Sequence, residues 1–265
     1  MKNIYVTFAI ASLFFISSCT KDTGSAIHDT PAPNTPTPPT PATPKADTLT
    51  LGWKKIVIDS SETFNDVFFY DNTTGYLAGN KTYKSTDGGL TWNTISNQSF
   101  INLGVTSNGN SFFVGIGSGL FKSVYGTGPL VNVVSSPTSQ ISDVFFVDDS
   151  NGYYLDIKGL FNSTDGGENW TKLSTTGIDL TFNSYCTLFF SNNTTGWIAI
   201  LNKLYKSNGS PANWVAASFG GINLTGVFTS VFCTPDHTVY TLSNNGELFK
   251  STDGGTTHWC LESLD

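Results

Sequence analysis

The chain has no arginine: all 13 of its basic residues are lysines. An ammonium is a point charge on a flexible stem, whereas a guanidinium is a rigid planar fork. A site that clamps a carboxylate bidentately through a guanidinium is therefore closed to this sequence, and lysine performs that task poorly. Charge as a whole is sparse, at 12% of residues, and its balance is −7. That argues against nucleic acid as a partner, because phosphate binding needs a basic face. Methionine occurs once, glutamate only as Glu62, Glu168, Glu247 and Glu262, and histidine only as His28, His237 and His258. No metal-ligand spacing connects them, so neither metal nor cofactor is expected. The cysteines are Cys19, Cys186, Cys233 and Cys260, and none has a matched histidine to make it a nucleophile. Abundance lies elsewhere: 14% aromatics and 26 glycines, with many Asn, Ser and Thr. Such a composition favours an all-β body with many turns.

Residues 1–19 read MKNIYVTFAIASLFFISSC. Lys2 supplies a positive start, and Tyr5 to Ile16 form an apolar run too short to span a bilayer comfortably. The ISSC that follows resembles the lipobox of bacterial lipoproteins. The resemblance implies that Cys19 becomes a lipid-bearing N-terminus, held stably on the outer membrane by its acyl chains. CTKD after the cleavage point is similar to surface-export signals of Bacteroidota lipoproteins. Residues 20–47 contain seven of the chain's 11 prolines, all between Pro31 and Pro44. With almost no apolar side chains and few backbone donors, this stretch reads as an extended tether. Its proline-rich part would span roughly 50 Å. Three parts result: a signal over 1–19, a disordered tether over 20–47 and a folded body over 48–265.

The body is periodic. YKSTDGGLTW (Tyr83–Trp92) nearly recurs as FNSTDGGENW (Phe161–Trp170) and as FKSTDGGTTHW (Phe249–Trp259). Anchored on the turn serine, units stand at Ser85, Ser123, Ser163, Ser207 and Ser251, about 40 residues apart. The residue two before each serine is aromatic, and the residue one before is lysine four times and Asn162 once. That alternation has the period of a strand, with the aromatic side buried and the lysine side wet. DVFF at Asp66 and Asp143, TLFF at Thr187 and SVFC at Ser230 mark another strand in each unit. Trp92, Trp170, Trp214 and Trp259 each open a fourth. Four short strands per unit of this length predict a β-propeller of about five four-stranded blades. GWKKIV at Gly52 aligns Trp53 with these tryptophans, so an N-terminal strand either stands surplus at an edge or closes the ring.

The repeated turn fits a structural role. Its aspartate can accept N–H groups of the turn, its glycines permit positive φ, and its tryptophan covers a seam between sheets. One carboxylate per turn is too few for a calcium loop. Ser85, Asp87, Gly88, Gly89 and Trp92 form the full motif, as do Ser163, Asp165, Gly166, Gly167 and Trp170 but for Asn169, and Ser251, Asp253, Gly254, Gly255 and Trp259 with one extra residue. Ser207 and Trp214 survive in a unit that has lost the aspartate. These residues resemble the Asp-box, or bacterial neuraminidase repeat. They are similar to the propellers of the photosystem II assembly factor, sortilin and xyloglucanase groups.

Those relatives do unrelated things, so function rests on this chain's own sites. The arginine triad that resemblance would require of a sialidase is absent. A glycoside hydrolase of another kind needs two convergent carboxylates, and Asp156 and Asp179 are the aspartates left without a turn or strand role. The ligand face of such a ring is the one built by loops between blades and by hairpins between second and third strands. It would carry Asn80, Lys81, Lys158, Asp179, Phe182, Asn202, Lys203, Phe219 and Asn245. The mix suits a protein or glycan ligand. The reading is a monomeric, non-catalytic binding or scaffolding propeller, with a carbohydrate-active enzyme as the alternative. Cys233 reads as core filler and a Cys186–Cys260 bridge is conceivable.

Overall fold

The computed structural model describes residues 56–58, 61–106, 108–115, 119–134, 140–180, 186–222, 224–256 and 259–262. Cys19, the tether and Phe182 lie outside them, as does the Trp53 segment. Twenty strands form five antiparallel four-stranded sheets, each a chain-order meander. Sheet 1 holds β1 (Phe64–Phe69), β2 (Gly75–Gly79), β3 (Thr82–Ser85) and β4 (Asn93–Ser96). Sheet 2 holds β5 (Phe100–Val105), β6 (Ser111–Gly115), β7 (Gly119–Ser123) and β8 (Val131–Val134). Sheet 3 holds β9 (Ile141–Phe146), β10 (Gly152–Asp156), β11 (Gly159–Ser163) and β12 (Thr171–Lys172). Sheet 4 holds β13 (Cys186–Phe190), β14 (Gly196–Ile200), β15 (Lys203–Ser207) and β16 (Trp214–Ala216). Sheet 5 holds β17 (Phe228–Cys233), β18 (Val239–Ser243), β19 (Leu248–Ser251) and β20 (Trp259–Glu262). This is the β-propeller arrangement expected from the repeats.

Burial follows position in the blade. The second strands β2, β6, β10 and β14 are buried along their whole length, and β6, β10 and β14 each lie between two neighbouring sheets. Outer strands such as β12 are exposed, which suits their polar Thr and Lys. First strands lie side by side in chain order, β1 by β5, β5 by β9, β9 by β13 and β13 by β17. Each of these four junctions has its own apolar core. Aromatics dominate them: Phe112 stacks on Phe146 at 4.3 Å and Tyr153 on Phe190 at 3.9 Å. Such pairs add roughly 0.5–1.5 kcal/mol each beyond the area they bury. Among the described residues these are the four buried apolar clusters.

The turn chemistry explains why the serine, aspartate and tryptophan recur. Ser163 Oγ accepts the Gly167 N–H at 2.8 Å and donates to Asp165 Oδ1 at 2.8 Å. The Asp165 carboxylate also accepts the N–H groups of Glu168 and Asn169. Trp170 Nε1 closes the turn on the Gly167 carbonyl at 3.1 Å. Ser85 and Asp87 repeat the scheme, and so do Ser251 and Asp253. These hydrogen bonds, led by those from Thr91 and Asn169, hold Asp87 and Asp165 down at about 2. In the fifth unit the buried Nε1 of Trp259 has no hydrogen-bond partner among the described residues. In the fourth, Ser207 Oγ accepts from Gly196 N–H and donates to the Thr194 carbonyl, so the lost aspartate is not needed there.

One expectation is corrected. The lysines beside the turn serines are not simply wet. Lys122 is buried between sheets 2 and 3, where Nζ donates to the Gly166 carbonyl and pairs with Glu168. It lies 5.4 Å from the Phe112 ring centre. Lys206 likewise donates to Thr256 in the repeated turn of the adjacent sheet 5, and lies 5.9 Å from the Trp197 ring. Their methylene stems cover aromatic faces while the ammonium finds carbonyl and carboxylate oxygen at Lys122 and a hydroxyl at Lys206. Cys186 and Cys233 are free, buried thiols, pushed up to about 12 and about 11 by burial. Both are inert core residues.

Candidate functional site

Two constellations of polar side chains stand out: one is built into the first strands, and one lies at a cleft between sheet 4 and the loop that leads from it to sheet 5. The first is a belt at a single register. Asp66, Asn102, Asp143, Thr187 and Ser230 pair respectively with Ala78, Val114, Leu155, Ala199 and Leu242 on the second strands. Bulges just before Asp66, Asn102 and Ser230, and a register shift beside Asp143, aim these residues toward the neighbouring sheet. Asp66 accepts the Leu103 N–H of sheet 2 at 2.9 Å as well as its neighbour Val67 N–H at 2.8 Å. Asp143 accepts the Leu188 N–H at 2.8 Å and the Thr187 hydroxyl at 2.9 Å, both in sheet 4, together with Val144 N–H. Desolvation pushes Asp66 up to about 7 and Asp143 up to about 6, although the accepted N–H groups pull the other way. Asp143 adds a repulsive charge to Asp66. Raised carboxyls in a pair are a pattern of acid–base sites. Here, however, the oxygens are taken up by backbone of the next sheet, which is the geometry of an inter-blade staple.

The second constellation is the cleft, about 300 Å³ in volume. Its rim is Asn202 and Lys203 on one side and Gly220 and Gly221 on the other. Its floor is Leu204, Phe219, Ile222 and Leu224. The β14–β15 hairpin puts Leu201 at φ 53°, a conformation leucine disfavours by roughly 1–2 kcal/mol. The Leu201 carbonyl accepts Phe228 N–H at 2.7 Å, which pins that turn to sheet 5. Leu201 is left exposed beside the rim. Opposite, Gly220 and Gly221 form a tight turn closed by Ile222 N–H on the Phe219 carbonyl. Phe219 itself is buried, stacked on Trp259 at 4.7 Å and Phe228 at 5.5 Å. It supports the floor rather than presenting a free ring. Asn202 and Lys203 are exposed, and no described residue hydrogen-bonds or pairs with either side chain. No carboxylate lines the cleft.

Of the nine residues singled out from sequence, the cleft gathers Asn202, Lys203 and Phe219. Lys81 is held elsewhere, at 2.6 Å from Glu62, whose carboxylate is buried. Asn80 donates its backbone N–H to Thr63. Lys158 sits in a hairpin capped by Asp156, which accepts its N–H at 2.7 Å. Asn245 donates to Thr225 at 3.2 Å. Asp179 lies in the sheet 3 to sheet 4 connection and is not among the cleft residues. Sequence reading missed Leu201, Gly220 and Gly221. The paired glycines carried a turn signal, whereas a left-handed leucine carries none. No three His, Cys, Asp or Glu side chains among the described residues come together as metal ligands do.

No family model matches the chain, and neither does any curated protein. Solved structures do. The likeness is to propellers. A structure described as YCF48 bound to D1 peptide aligns at TM-score 0.61 and 18% identity, over 80% of this chain and 70% of that one. YCF48 from Cyanidioschyzon merolae aligns at 0.51 and 15%, over 77% of this chain and 85% of the other. The GH74 enzyme of Niastella koreensis aligns at 0.59 and 20%, over 75% of this chain but only 38% of the enzyme. At such identities the likeness establishes the propeller fold. Its neighbours include a peptide binder and enzymes alike.

Proposed function

We propose that this chain is a non-catalytic binding propeller of the bacterial cell envelope that holds an extended protein segment in the cleft between sheet 4 and the loop leading to sheet 5. One observation carries the reading: an open, apolar-floored cleft whose exposed ammonium and carboxamide have no described partner and which no carboxylate lines. Such a rim complements a segment carrying an acidic group next to an apolar side chain. Hydrolysis of a glycosidic bond would need two carboxyls facing one bound sugar. The raised pair Asp66 and Asp143 is the observation that favours the enzymatic alternative, but their bonds to Leu103 and Leu188 occupy them.

Two measurements test this. Panning a displayed peptide library on the protein should enrich acidic–apolar segments. Lys203→Ala combined with Asn202→Ala should weaken the enriched peptides about tenfold, the cost of a hydrogen-bonded charge pair at a binding rim. Release of reducing sugar from polysaccharides by the wild-type protein would overturn the non-catalytic reading. Enrichment of no peptide at all would overturn the protein-ligand one.

The address is part of the same proposal: lipidated Cys19 anchors the chain and residues 20–47 hold the propeller off the outer membrane. Cys19→Ala should move the protein from the membrane to the soluble fraction. A variant that still sediments with membranes would refute the lipid anchor.

A further inference from the structure

The sequence holds four Asn–Gly pairs, which begin at Asn108, Asn151, Asn208 and Asn245. Such a pair carries its own reagents. The glycine nitrogen is placed to close a five-membered ring on the preceding carboxamide carbon, and no side chain crowds it. Ring closure needs a carboxamide free to turn toward the chain and a glycine N–H that is not committed elsewhere. Three of the pairs fail these conditions. Asn108 Oδ1 accepts the Thr106 hydroxyl at 2.7 Å and the Asn110 N–H at 3.3 Å, and Gly109 donates its N–H to the Thr106 carbonyl at 2.9 Å. Asn151 Nδ2 donates to both Asp148 oxygens, at 3.0 and 2.9 Å, and Gly152 is buried within β10. Asn245 Nδ2 donates to Thr225 at 3.2 Å, and Gly246 donates its N–H to the Ser243 carbonyl at 3.1 Å.

Asn208 meets them. It and Gly209 are both exposed. Among the described residues nothing bonds to the Asn208 carboxamide, and the Gly209 N–H has no acceptor. Gly209 stands at φ 70°, and a Cβ built on it would meet nothing within 4 Å, so the attacking nitrogen is open on that side. The cause lies in the degenerate turn of the fourth unit. In the full turns the residue two after the serine is an aspartate whose carboxylate ties down the loop, as Asp165 does with Glu168 and Asn169 N–H. Here that residue is Gly209 itself, and Ser207 Oγ is spent on Gly196 and Thr194. The turn is closed further along instead. Asn208 N–H reaches the Asn213 carbonyl, Asn213 N–H the Ser210 carbonyl, and Trp214 Nε1 the Pro211 carbonyl. These bonds pin the backbone ends and leave the carboxamide loose.

We propose that Asn208 is a site of spontaneous deamidation, at which the folded protein converts ahead of its other Asn–Gly pairs. The Gly209 nitrogen gives its proton to solvent base and bonds to Asn208 Cγ. The Cγ–Nδ2 bond breaks, and ammonia leaves with a proton taken from water. A second water then opens the resulting succinimide. Breaking the new N–Cγ bond leaves aspartate. Breaking the original peptide bond leaves isoaspartate, with the chain rerouted through Cγ. No electrons are exchanged with any other group, and water is the sole co-reactant. Either product adds a negative charge to the turn between β15 and β16, at the end of β15 away from Lys203 and the cleft.

The experiment incubates the full chain in detergent at mildly alkaline pH in heavy-oxygen water and maps the products by peptide mass spectrometry. Position 208 should take up the label, as aspartate and isoaspartate together, about tenfold faster than positions 108, 151 and 245. At each of those, hydrogen bonds must open before the ring can close. The rate at 208 should rise with pH, because the attacking nitrogen must lose its proton. Gly209→Ala, for which the structure has room, should slow the reaction several-fold. Asn208→Gln should abolish labelling at that position and leave thermal melting unchanged. In the chain unfolded by denaturant all four pairs should react at similar rates, which would assign the selectivity to the fold. Labelling of 208 no faster than of the other three in the folded protein would overturn the proposal. So would an Asn208 amide that survives in the folded protein while the unfolded chain converts, or a preference for 208 that persists undiminished after unfolding.

Discussion

Gly167→Ala should destabilise the fold by about 3 kcal/mol, against about 1 kcal/mol for Gly89→Ala, although both glycines hold the same place in the same repeated turn. Both have positive φ, at 81° and 85°, so both pay the left-handed penalty of a side chain. The difference lies in what the new methyl meets. At position 167 it would stand 2.5 Å from the Phe112 ring, a fully buried side chain stacked on Phe146 that has nowhere to go. Forcing a methyl into such a core costs roughly 1–3 kcal/mol over the backbone strain. At position 89 the nearest atom is 3.0 Å away on the half-exposed Phe69 ring, which can swing into solvent. For a domain of this size the melting temperature should fall by about 6–12 °C in the first variant and about 2–4 °C in the second. Equal shifts would show that the Phe69 ring beside Gly89 is as confined as the Phe112 ring beside Gly167.

The second large effect is on pH dependence. Asp66 and Asp143 have folded values raised by burial to about 7 and about 6. A raised carboxyl binds its proton more tightly in the native state than in the unfolded chain. Stability therefore rises as pH falls from about 7 toward the unfolded value of about 4, and it declines on the way back up. The turn aspartates Asp71, Asp87 and Asp165 are lowered to about 2, so their contribution is present above about pH 4 and is lost as pH falls through that range. Maximal stability should lie near pH 4–5, below the usual optimum. From pH 8 to pH 5 the gain should be on the order of 2–4 kcal/mol, after discounting for the water that reaches Asp66. Asp66→Asn with Asp143→Asn keeps a carbonyl acceptor for Leu103 and Leu188 N–H and removes the buried charge. Denaturant midpoints of that variant should exceed wild type at pH 8 and be nearly flat down to pH 5. A wild-type midpoint that climbs between pH 5 and pH 8 would contradict the burial of these carboxyls.

The sheets were legible because their signals are local. Ser163, Asp165, Gly167 and Trp170 make contacts within a few residues of one another, so their spacing alone announces the hairpin. The first-strand aspartates were legible as equivalents of each other, though not as staples, since Leu103 and Leu188 lie far along the chain. The wet lysine was a misreading of the same kind. Period-two alternation assigns a residue to a face, and in a blade both faces of an inner strand meet a neighbour, as Lys122 does. At the cleft, the hairpin position pointed to Asn202 and Lys203, while the burial of Phe219 depended on Trp259, which arrives from the far end of sheet 5.

All the polar links between blades described above run from one sheet toward the next in chain order: Asp66 to Leu103, Lys122 to Gly166, Tyr153 to Asn193, Trp197 to Gly254. None waits for the two termini to meet. Each sheet therefore finds its docking partner already present as it leaves the ribosome or a translocation channel. These four junctions can therefore assemble vectorially, by nearest-neighbour addition.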